Sequence, residues 1–223
     1  MKPAITAAAA LTLATGANLA AADIVNVFGD PTTTTNSTPT GATFEAVVEY
    51  NALSADTAQL AIQLTNATTP DIGGFLTGFG FIVPTANPGL DIALSSATDP
   101  DLLLITDFSV ANLGTFDGGA ALRADFNGGG KPSDGIAAGD TALFVFDITG
   151  FLAAGLDAQT YSVIDFVNNG DAFVARFRGL EDGGSEKIVG TTEDPILKVP
   201  TPGTASLALA ALGMTATRRR RSA

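Results

Sequence analysis

The sequence predicts an all-β protein, an antiparallel β-sandwich of jelly-roll type, and three observations favour this class. Several segments alternate apolar and polar residues with a period of two, which is typical of strands with one face in water. Clusters of Gly, Pro, Asn and Asp separate these segments at short intervals. The chain contains 25 Gly and 11 Pro, which favours turns over long helices. We therefore expect a β-sandwich over residues 23–198, with an N-terminal signal helix and a short hydrophobic helix at the C-terminus.

Four segments carry the clearest alternation and are predicted as strands: FEAVVEY at 44–50, QLAIQLTN at 59–66, TALFVFDITG at 141–150 and AFVARFRGL at 172–180. Weaker patterns predict further strands at 24–28, 75–83, 91–95 and 102–110. About eight short strands at this spacing favour a sandwich or jelly roll. Residues 29–41, GDPTTTTNSTPTG, are predicted to form a polar loop without core residues. Residues 156–166 could form a short helix instead of a strand.

The first 22 residues have the layout of a secretory signal peptide. Lys2 is followed by an apolar run at 4–14, and Ala20 and Ala22 form an A-x-A site before Asp23. The alternative is a buried Ala-rich helix, which the terminal position and the abrupt change to polar sequence disfavour. We expect export machinery and signal peptidase as partners, with cleavage before Asp23.

The last 25 residues, 199–223, combine a Pro/Thr segment, an apolar run at 205–216 and four arginines, Arg218, Arg219, Arg220 and Arg221. As a helix the apolar run would span roughly 18 Å, short of the roughly 30 Å of a hydrocarbon core. Arginines behind such a run are expected to stay in the cytoplasm while the body faces outward. The pattern favours a transient hold in the inner membrane, and a disordered basic tail is the alternative.

Charge and composition exclude several functions. The net charge is -12, and without Lys2 and the four terminal arginines six bases face 23 acids, which is 6 − 23 = -17. A body with that charge repels nucleic acid, so no nucleic-acid partner is expected. The chain has no Cys and no His, which excludes disulfides, thiol nucleophiles, imidazole-ligated zinc and a Ser-His-Asp triad. We therefore predict that the protein is not an enzyme.

Paired carboxylates are the groups with which many enzymes cleave glycans. Glu45 and Glu49 lie on one face of one predicted strand, roughly 13 Å apart at ~3.3 Å per residue. Glycoside hydrolysis requires about 5 to 9.5 Å between the two carboxyl groups. An enzyme would therefore need another acid from a neighbouring strand, which the sequence does not identify.

Calcium is the one cofactor that the sequence leaves open; otherwise no cofactor is predicted. Asp125, Asn127 and Gly130 occupy the first, third and sixth places of a calcium loop, but Ile136 stands at the twelfth, where a bidentate Glu is needed. A site of another type would draw its oxygen ligands from Asp125, Asn127, Asp134 and Asp140.

Arg176 and Arg178 share one face of the predicted strand at 172–180. Guanidinium groups bind carboxylates in a bidentate way, so the pair suits an acidic polysaccharide. The alternative is that the two arginines pair with the protein's own acids or protect a strand edge.

The tail resembles the PEP-CTERM class of bacterial sorting signals, in the order P-x-P-x-T, apolar run, arginine cluster. The matching positions are Pro200, Pro202, Thr204, the run 205–216 and Arg218 to Arg221, with Thr201 and Gly203 as departures from the usual motif. The body segments 60–84, 133–150 and 173–187 are similar to secreted β-sandwich proteins that carry such tails. The resemblance implies export, handling by an exosortase-like protease and association with the cell surface or exopolysaccharide, and it implies no catalytic residues.

Three hypotheses follow. The first is an exported, non-enzymatic surface or extracellular-matrix protein, tethered transiently in the inner membrane. The second is a binding module for acidic polysaccharide or calcium. The third, a carboxylate-based glycan-active enzyme, is the least favoured.

Overall fold

The computed structural model describes residues 23–84, 89–167, 172–181, 183–192 and 197–198. It confirms the predicted all-β class. The strands are β1 Asp23–Thr34, β2 Phe44–Ala52, β3 Thr57–Asn66, β4 Gly73–Phe81, β5 Asp91–Ala97, β6 Leu102–Val110, β7 Gly114–Leu122, β8 Ile136–Ala137, β9 Thr141–Thr149, β10 Phe173–Leu180, β11 Ser185–Thr192 and β12 Leu197–Lys198. Single helical turns occur at Pro132–Asp134, at Ala158–Thr160 and at α1, Ile164–Val167.

Ten strands form one antiparallel path in the order β5-β9-β3-β2-β1-β11-β10-β4-β7-β6, while β8 pairs with β4 and β12 with β1. The path folds over on itself. Phe79 of β4 lies 4.8 Å from Phe144 of β9 between ring centroids, and Phe44 of β2 lies 5.5 Å from Phe173 of β10. We call β5-β9-β3-β2-β1 the first layer and β11-β10-β4-β7-β6 the second layer. Their inner faces enclose the core, as in the predicted sandwich.

The first layer follows the predicted alternation. In β2 the inward side chains Phe44, Ala46, Val48 and Tyr50 are at most 3% exposed, whereas Glu45 and Val47 face solvent. The same pattern holds in β3 and β9, where Leu60, Ile62, Leu64, Phe144, Phe146 and Ile148 are fully buried. These strands therefore have one face in the core and one in water, as period two predicts.

The second layer departs from this pattern because something covers its outer face. In β10, Val174 and Arg176 are buried as well as the inward Phe173, Ala175 and Phe177. A separate apolar group lies on the outer side and is called the outer cluster: Ile105, Val110, Phe116, Ala121, Phe126 and Val174. Partly buried Phe108 packs against it, with its ring 5.0 Å from that of Phe126.

Several sequence predictions were wrong in detail. β1 continues to Thr34 through the predicted polar loop, since Thr backbone still pairs with β11 and Thr33 Oγ1 donates to Val189 O at 2.8 Å. β7, β11 and the two-residue strands β8 and β12 were not predicted, so the described residues contain twelve strands and not eight. Residues 156–166 do not form one helix; they contain one 3-10 turn and most of the short α1.

The predicted signal peptide, 1–22, and sorting segment, 199–223, lie outside the described residues, and so do the helices predicted for these two segments. In the part of the chain that the structure describes, no helix has the length and apolar character needed to cross a membrane. Asp23 pairs with Lys198 across β1 and β12, so the two boundaries of the predicted body are neighbours.

Candidate functional site

The basic residues of the body are concentrated in one region. Of the six Lys and Arg between 23 and 198, Arg123 and Lys131 bound one loop, Arg176 and Arg178 lie on β10, and Lys187 lies on β11. Only the sixth, Lys198, lies elsewhere in sequence. The register places Arg176 directly opposite Lys187, so both project from the outer face of the second layer. A body that is acidic as a whole therefore contains one locally basic region.

The loop 123–131 lies across these strands and is called the anchored loop. An Nη1 hydrogen bond runs from Arg176 to the carbonyl oxygen of Phe126. Arg178 Nη1 donates to Gly129 O at 2.6 Å and to Gly130 O at 3.3 Å. Arginine suits this role because its planar fork carries five donors and stays charged. The two arginines therefore fasten the loop to β10 by its main chain.

Local contacts fix the shape of the anchored loop. Asp125 Oδ1 accepts from Asn127 N at 2.8 Å, and Phe126 inserts into the outer cluster with 3% of its surface exposed. Arg123 and Ala124 have φ values of 54° and 52°, in the left-handed region that non-glycine residues rarely adopt. Such backbone costs about 1–3 kcal/mol per residue and persists where the surroundings enforce it. The loop is thus held in one conformation that presents Arg123.

The electrostatics of the region favour an anion. Burial lowers the pKa of Arg176, the neighbouring Arg178 lowers it further, and Asp125 partly offsets both effects. Burial also lowers the pKa of Lys187, and Arg176 adds to that decrease. Arg176 Nε is buried without a hydrogen-bond partner. An anion that approaches such cations is bound favourably, because it relieves the repulsion between them and offsets the cost of their partial desolvation.

Accessibility separates the two roles of these cations. Arg176 is only 9% exposed, so it holds the loop and does not meet a ligand directly. Arg123 and Lys131 are exposed, and Arg178 and Lys187 are partly exposed. We call these four accessible residues the basic patch. They offer two guanidinium groups and two ammonium groups, which suit carboxylate or sulfate oxygens.

The structure corrects the alternative interpretation of Arg176 and Arg178. β10 lies between β11 and β4, so neither arginine protects a sheet edge. The hydrogen bonds that the described residues show for both arginines go to main-chain carbonyls of the anchored loop. Asp125 acts on Arg176 through its charge, and pairing with further acids of the protein stays a sequence prediction.

The calcium candidates lie in different surroundings. Asp125 and Asn127 belong to the anchored loop, beside cations, and Asn127 Oδ1 accepts from Lys187 Nζ at 3.4 Å. Asp134 ends a 3-10 turn, and Asp140 lines a cavity of about 300 Å³ together with Asp99. Within the ranges described, no three acidic side chains come together as a metal site requires. The calcium site stays a sequence prediction.

That cavity next to Asp99 is acidic. Burial raises the pKa of Asp99, and the charges of Asp101 and Asp134 raise it further, while N–H groups of Asp101 and Leu102 act in the opposite direction. The lining of the cavity also includes Thr98 and Thr141. Repulsion among these carboxylates makes the cavity a poor site for an anion.

Other candidate groups have structural roles. Tyr50 is 3% exposed, its hydroxyl donates to Ala158 O at 2.7 Å, and its ring stacks on Phe166 at 4.8 Å. Glu45 and Glu49 lie on the outer face of β2, where Glu45 is exposed and Glu49 partly buried. Burial raises the pKa of Glu49. Neither the cavity next to Asp99 nor a cavity lined by Thr40 and Glu181 includes these three residues, and the enzyme hypothesis stays a sequence prediction.

The comparisons with known proteins are sparse. No protein-family model matches the sequence, and no curated protein matches it. Among solved structures, a match is found to a chain described as the unique CBM3 of Hungateiclostridium clariflavum, a carbohydrate-binding module, at 10% identity. The match covers 78% of this chain and 99% of that chain, with a TM-score of 0.28. A likeness at this level identifies neither a shared topology nor a shared ligand.

Sequence reasoning found Arg176 and Arg178 but missed Arg123, Lys131 and Lys187. The available signal was the distribution of charge, since the bases of the body occur only between 123 and 198. The pairing of β10 with β4 and β11 decides which of these bases are neighbours. β10 lies about fifty residues after the anchored loop in sequence, so the sequence does not show that they meet.

Proposed function

We propose that the protein is an exported, non-enzymatic component of the cell surface or extracellular matrix that binds an acidic polysaccharide through the basic patch. The observation that carries the proposal is the gathering of Arg123, Lys131, Arg178 and Lys187 around one anchored loop. On a body with a net charge of -17, this is the region where an anion is attracted and not repelled.

Charge, and not stacking, would recognise the sugar. Neutral glycans are commonly bound by exposed flat aromatic rings, but this chain has no Trp, and Tyr50 is buried in the core. Among the described residues every Phe and Tyr side chain is buried or half-buried. A polymer of uronic acids or sulfated sugars instead supplies anionic groups at regular spacing, and guanidinium and ammonium groups pair with them.

Nucleic acid is a poorer occupant of the same patch. A duplex carries one negative charge per about 1.7 Å of its axis, and binding proteins commonly neutralise about 6–10 phosphates. The basic patch offers four cations and is surrounded by acidic surface. Repulsion from that surface acts over a Debye length of about 8 Å at physiological salt, so a sparsely charged polymer is favoured.

Export and sorting form the second part of the proposal. The signal-peptide pattern at 1–22 and the sorting pattern at 199–223 flank the body, and Asp23 pairs with Lys198. Both boundaries therefore meet at one corner of the sandwich, which suits a body held at a membrane from one side. Signal peptidase and an exosortase-like protease would act there in turn.

Binding is tested by affinity electrophoresis or calorimetry with polygalacturonate, using neutral dextran as the reference polymer. Arg123→Gln/Lys131→Gln/Lys187→Gln is expected to weaken binding at least about tenfold, since it removes three of the four accessible cations. The matched control is Glu45→Gln/Glu49→Gln, which changes two charges on the opposite layer and should leave the affinity unchanged or slightly increased. Equal binding of dextran, or an unaffected triple variant, would overturn the proposal.

Export is tested by the intact mass of the protein purified from its own host, with membrane and extracellular fractions measured separately. An extracellular mass that begins at Asp23 and ends between Pro200 and Thr204 supports the sorting signal. A protein that retains Arg218 to Arg221 and occurs only in the membrane fraction would contradict it.

A further inference from the structure

The outer face of the first layer is opposite in charge to the basic patch. The strands β1, β2, β3, β5 and β9 contain no Lys or Arg. The antiparallel registers place four carboxylates on one outer face, which we call the acidic face: Glu45, Glu49, Asp91 and Asp147. Since the outer faces of two packed layers point away from each other, the acidic face and the basic patch lie on opposite sides of the molecule.

The acidic face has an apolar centre. Val47 and Leu143 lie on either side of Gln63 in one cross-strand row, and they are 41% and 40% exposed. They are two of the five large hydrophobic side chains that are exposed among the described residues. An exposed apolar centre with a charged rim is the anatomy of a protein–protein interface.

The face is also large enough to bind a protein. Strands of about nine residues at ~3.3 Å each are roughly 30 Å long, and five of them at ~4.8 Å spacing are roughly 24 Å wide. The resulting area of about 700 Å² is close to the ~800 Å² that each partner contributes to a standard interface.

We propose that the acidic face binds the basic patch of a second copy of this chain. The contact is heterologous, because a surface on one side of each molecule meets a different surface on the opposite side of the next. Each copy that binds in this way still presents one unoccupied surface, so further copies can add and form an open chain. The inference goes beyond polysaccharide binding and gives the protein a way to build a layer or fibre by itself.

The two ligands of the basic patch exclude each other. The acidic face of a second copy and an acidic polysaccharide both present carboxylates to the same four cations. A soluble acidic polymer is therefore expected to dissociate the chains, so that assembly depends on how much free polymer surrounds the protein.

The net charge of the protein opposes association only at long range. At about 0.15 M salt the Debye length is about 8 Å, so the contacting faces dominate over charges elsewhere on the two bodies. Because the contact is a pairing of opposite charges, higher salt is expected to weaken it. Association driven by apolar burial alone would instead persist or strengthen.

Charge reversal tests the proposal by light scattering and sedimentation of the full-length protein over a range of concentrations. Wild type should show a weight-average mass that rises with concentration and falls with added salt. Glu45→Lys/Glu49→Lys leaves two lysines beside Asp91 and Asp147, so its first-layer face is no longer acidic overall. Arg123→Glu/Lys131→Glu likewise leaves the basic patch without net positive charge. Each variant alone should stay monomeric, and an equimolar mixture of the two should form a dimer, because the unaltered acidic face of one variant meets the unaltered basic patch of the other.

Two outcomes would overturn the proposal: a wild-type mass that stays monomeric at every concentration, or variants that associate alone as wild type does. A mixture that stays monomeric, with both variants folded by circular dichroism, would also overturn it. Polygalacturonate binding separates this result from the proposed function, because Glu45→Lys/Glu49→Lys keeps the basic patch and should still bind the polymer.

Discussion

The two layers of the sandwich are built from the same kind of strand but are stabilised differently. The first layer is a simple amphipathic sheet, with Phe44 or Leu60 in the core and Glu45 or Gln63 in water. The second layer is buried on both sides around β10, because the anchored loop and the outer cluster cover it. Covering a sheet this way requires close approach of the chain, and that explains the glycines at its outer positions.

The outer cluster depends on small residues beneath it. A Cβ at Gly80 would lie 2.4 Å from Phe108 Cζ, and a Cβ at Gly78 would lie 3.3 Å from Phe126 Cδ2. The missing side chains leave room for the two phenyl rings on the sheet. The first layer has no such second cluster in the part described, and its outer face stays open as the acidic face.

The largest loss of stability is expected in the core that both layers share. Phe79 is fully buried and contacts Phe144, Phe146 and Phe173, with centroids 4.8, 6.1 and 6.0 Å away. Phe79→Ala should lower the free energy of unfolding by about 3–5 kcal/mol, measured by urea denaturation. The control Leu143→Ala, at a position 40% exposed on the first layer, should change it by less than about 1 kcal/mol. Similar losses in both variants would contradict the assignment of one core between the layers.

A second substitution probes the close packing of the second layer. A Cβ at Gly119 would lie 2.1 Å from Phe79 O and 2.9 Å from Gly80 Cα, both main-chain atoms of the paired strand β4. Gly119→Ala should therefore push β7 away from β4 and cost about 3 kcal/mol, the upper end of typical overpacking. Gly128→Ala is the control, because nothing lies within 4 Å of its added methyl group. Equal melting temperatures for the two variants would show that β7 does not pack as described.

The anchored loop gives a smaller but more specific effect. Arg176→Met keeps an apolar stem under the loop and removes its hydrogen bond to Phe126 O. We expect a loss of about 1.5 kcal/mol, the lower end for a charged hydrogen bond, because a buried unpartnered Nε is removed as well. Trypsin should then cleave after the exposed Arg123 much faster than in wild type, whereas the bond after Lys131 resists trypsin because Pro132 follows it.

The control for the loop is Lys187→Met, a change of the same kind on the neighbouring strand. Its single contact with the loop is the 3.4 Å bond to Asn127, so cleavage should accelerate little. Rapid cleavage in wild type, or no acceleration in Arg176→Met, would mean that the arginines do not fasten the loop.

The same contrast explains what could be predicted from the sequence. β2, β3 and β9 were predicted because one face of each meets water and the pattern of residues shows it. β7, with the sequence GTFDGGAAL, was missed because Gly118, Gly119 and Ala120 are small for packing reasons and give no alternation. β11 was missed because its first residues, SEK, resemble a turn, although Glu186 is 1% exposed and accepts from Thr40.

The candidate site was predictable only in part for the same reason. Arg176 and Arg178 stand out in β10, but nothing in the sequence shows that their partners are the carbonyls of Phe126 and Gly129. Every residue has a main-chain carbonyl, so the residue type does not show which carbonyl accepts a hydrogen bond. Long-range pairing of strands decides which loop crosses an arginine, and composition does not record that pairing.

The smallest expected effect is a dependence of stability on pH that comes from partly buried carboxyl groups, with Asp117 of the second layer as the test case. Burial raises the pKa of Asp117 on β7; the N–H of Val83 donates to its Oδ2 at 2.7 Å and lowers the pKa, and the charge of Asp107 raises it. A carboxyl group whose pKa is higher in the folded state binds more protons there than in the unfolded state. Stability should therefore rise as the pH falls from 7 toward the folded pKa of such a group. Burial raises the pKa of Asp99 and of Glu49 in the same direction.

Asp117→Asn keeps an oxygen that can accept from Val83 N and removes the charge. At pH 7 it should be neutral or stabilising by less than about 1 kcal/mol, because solvent screens a group that is only partly buried. Its melting temperature should also change less between pH 7 and pH 5 than that of wild type. Glu45→Gln removes the same unit of charge from the open face of the first layer and serves as the control for net charge. If the two variants flatten the pH dependence of the melting temperature equally, the burial of Asp117 beside Val83 is not its cause. Long-range repulsion across the acidic body would then explain it.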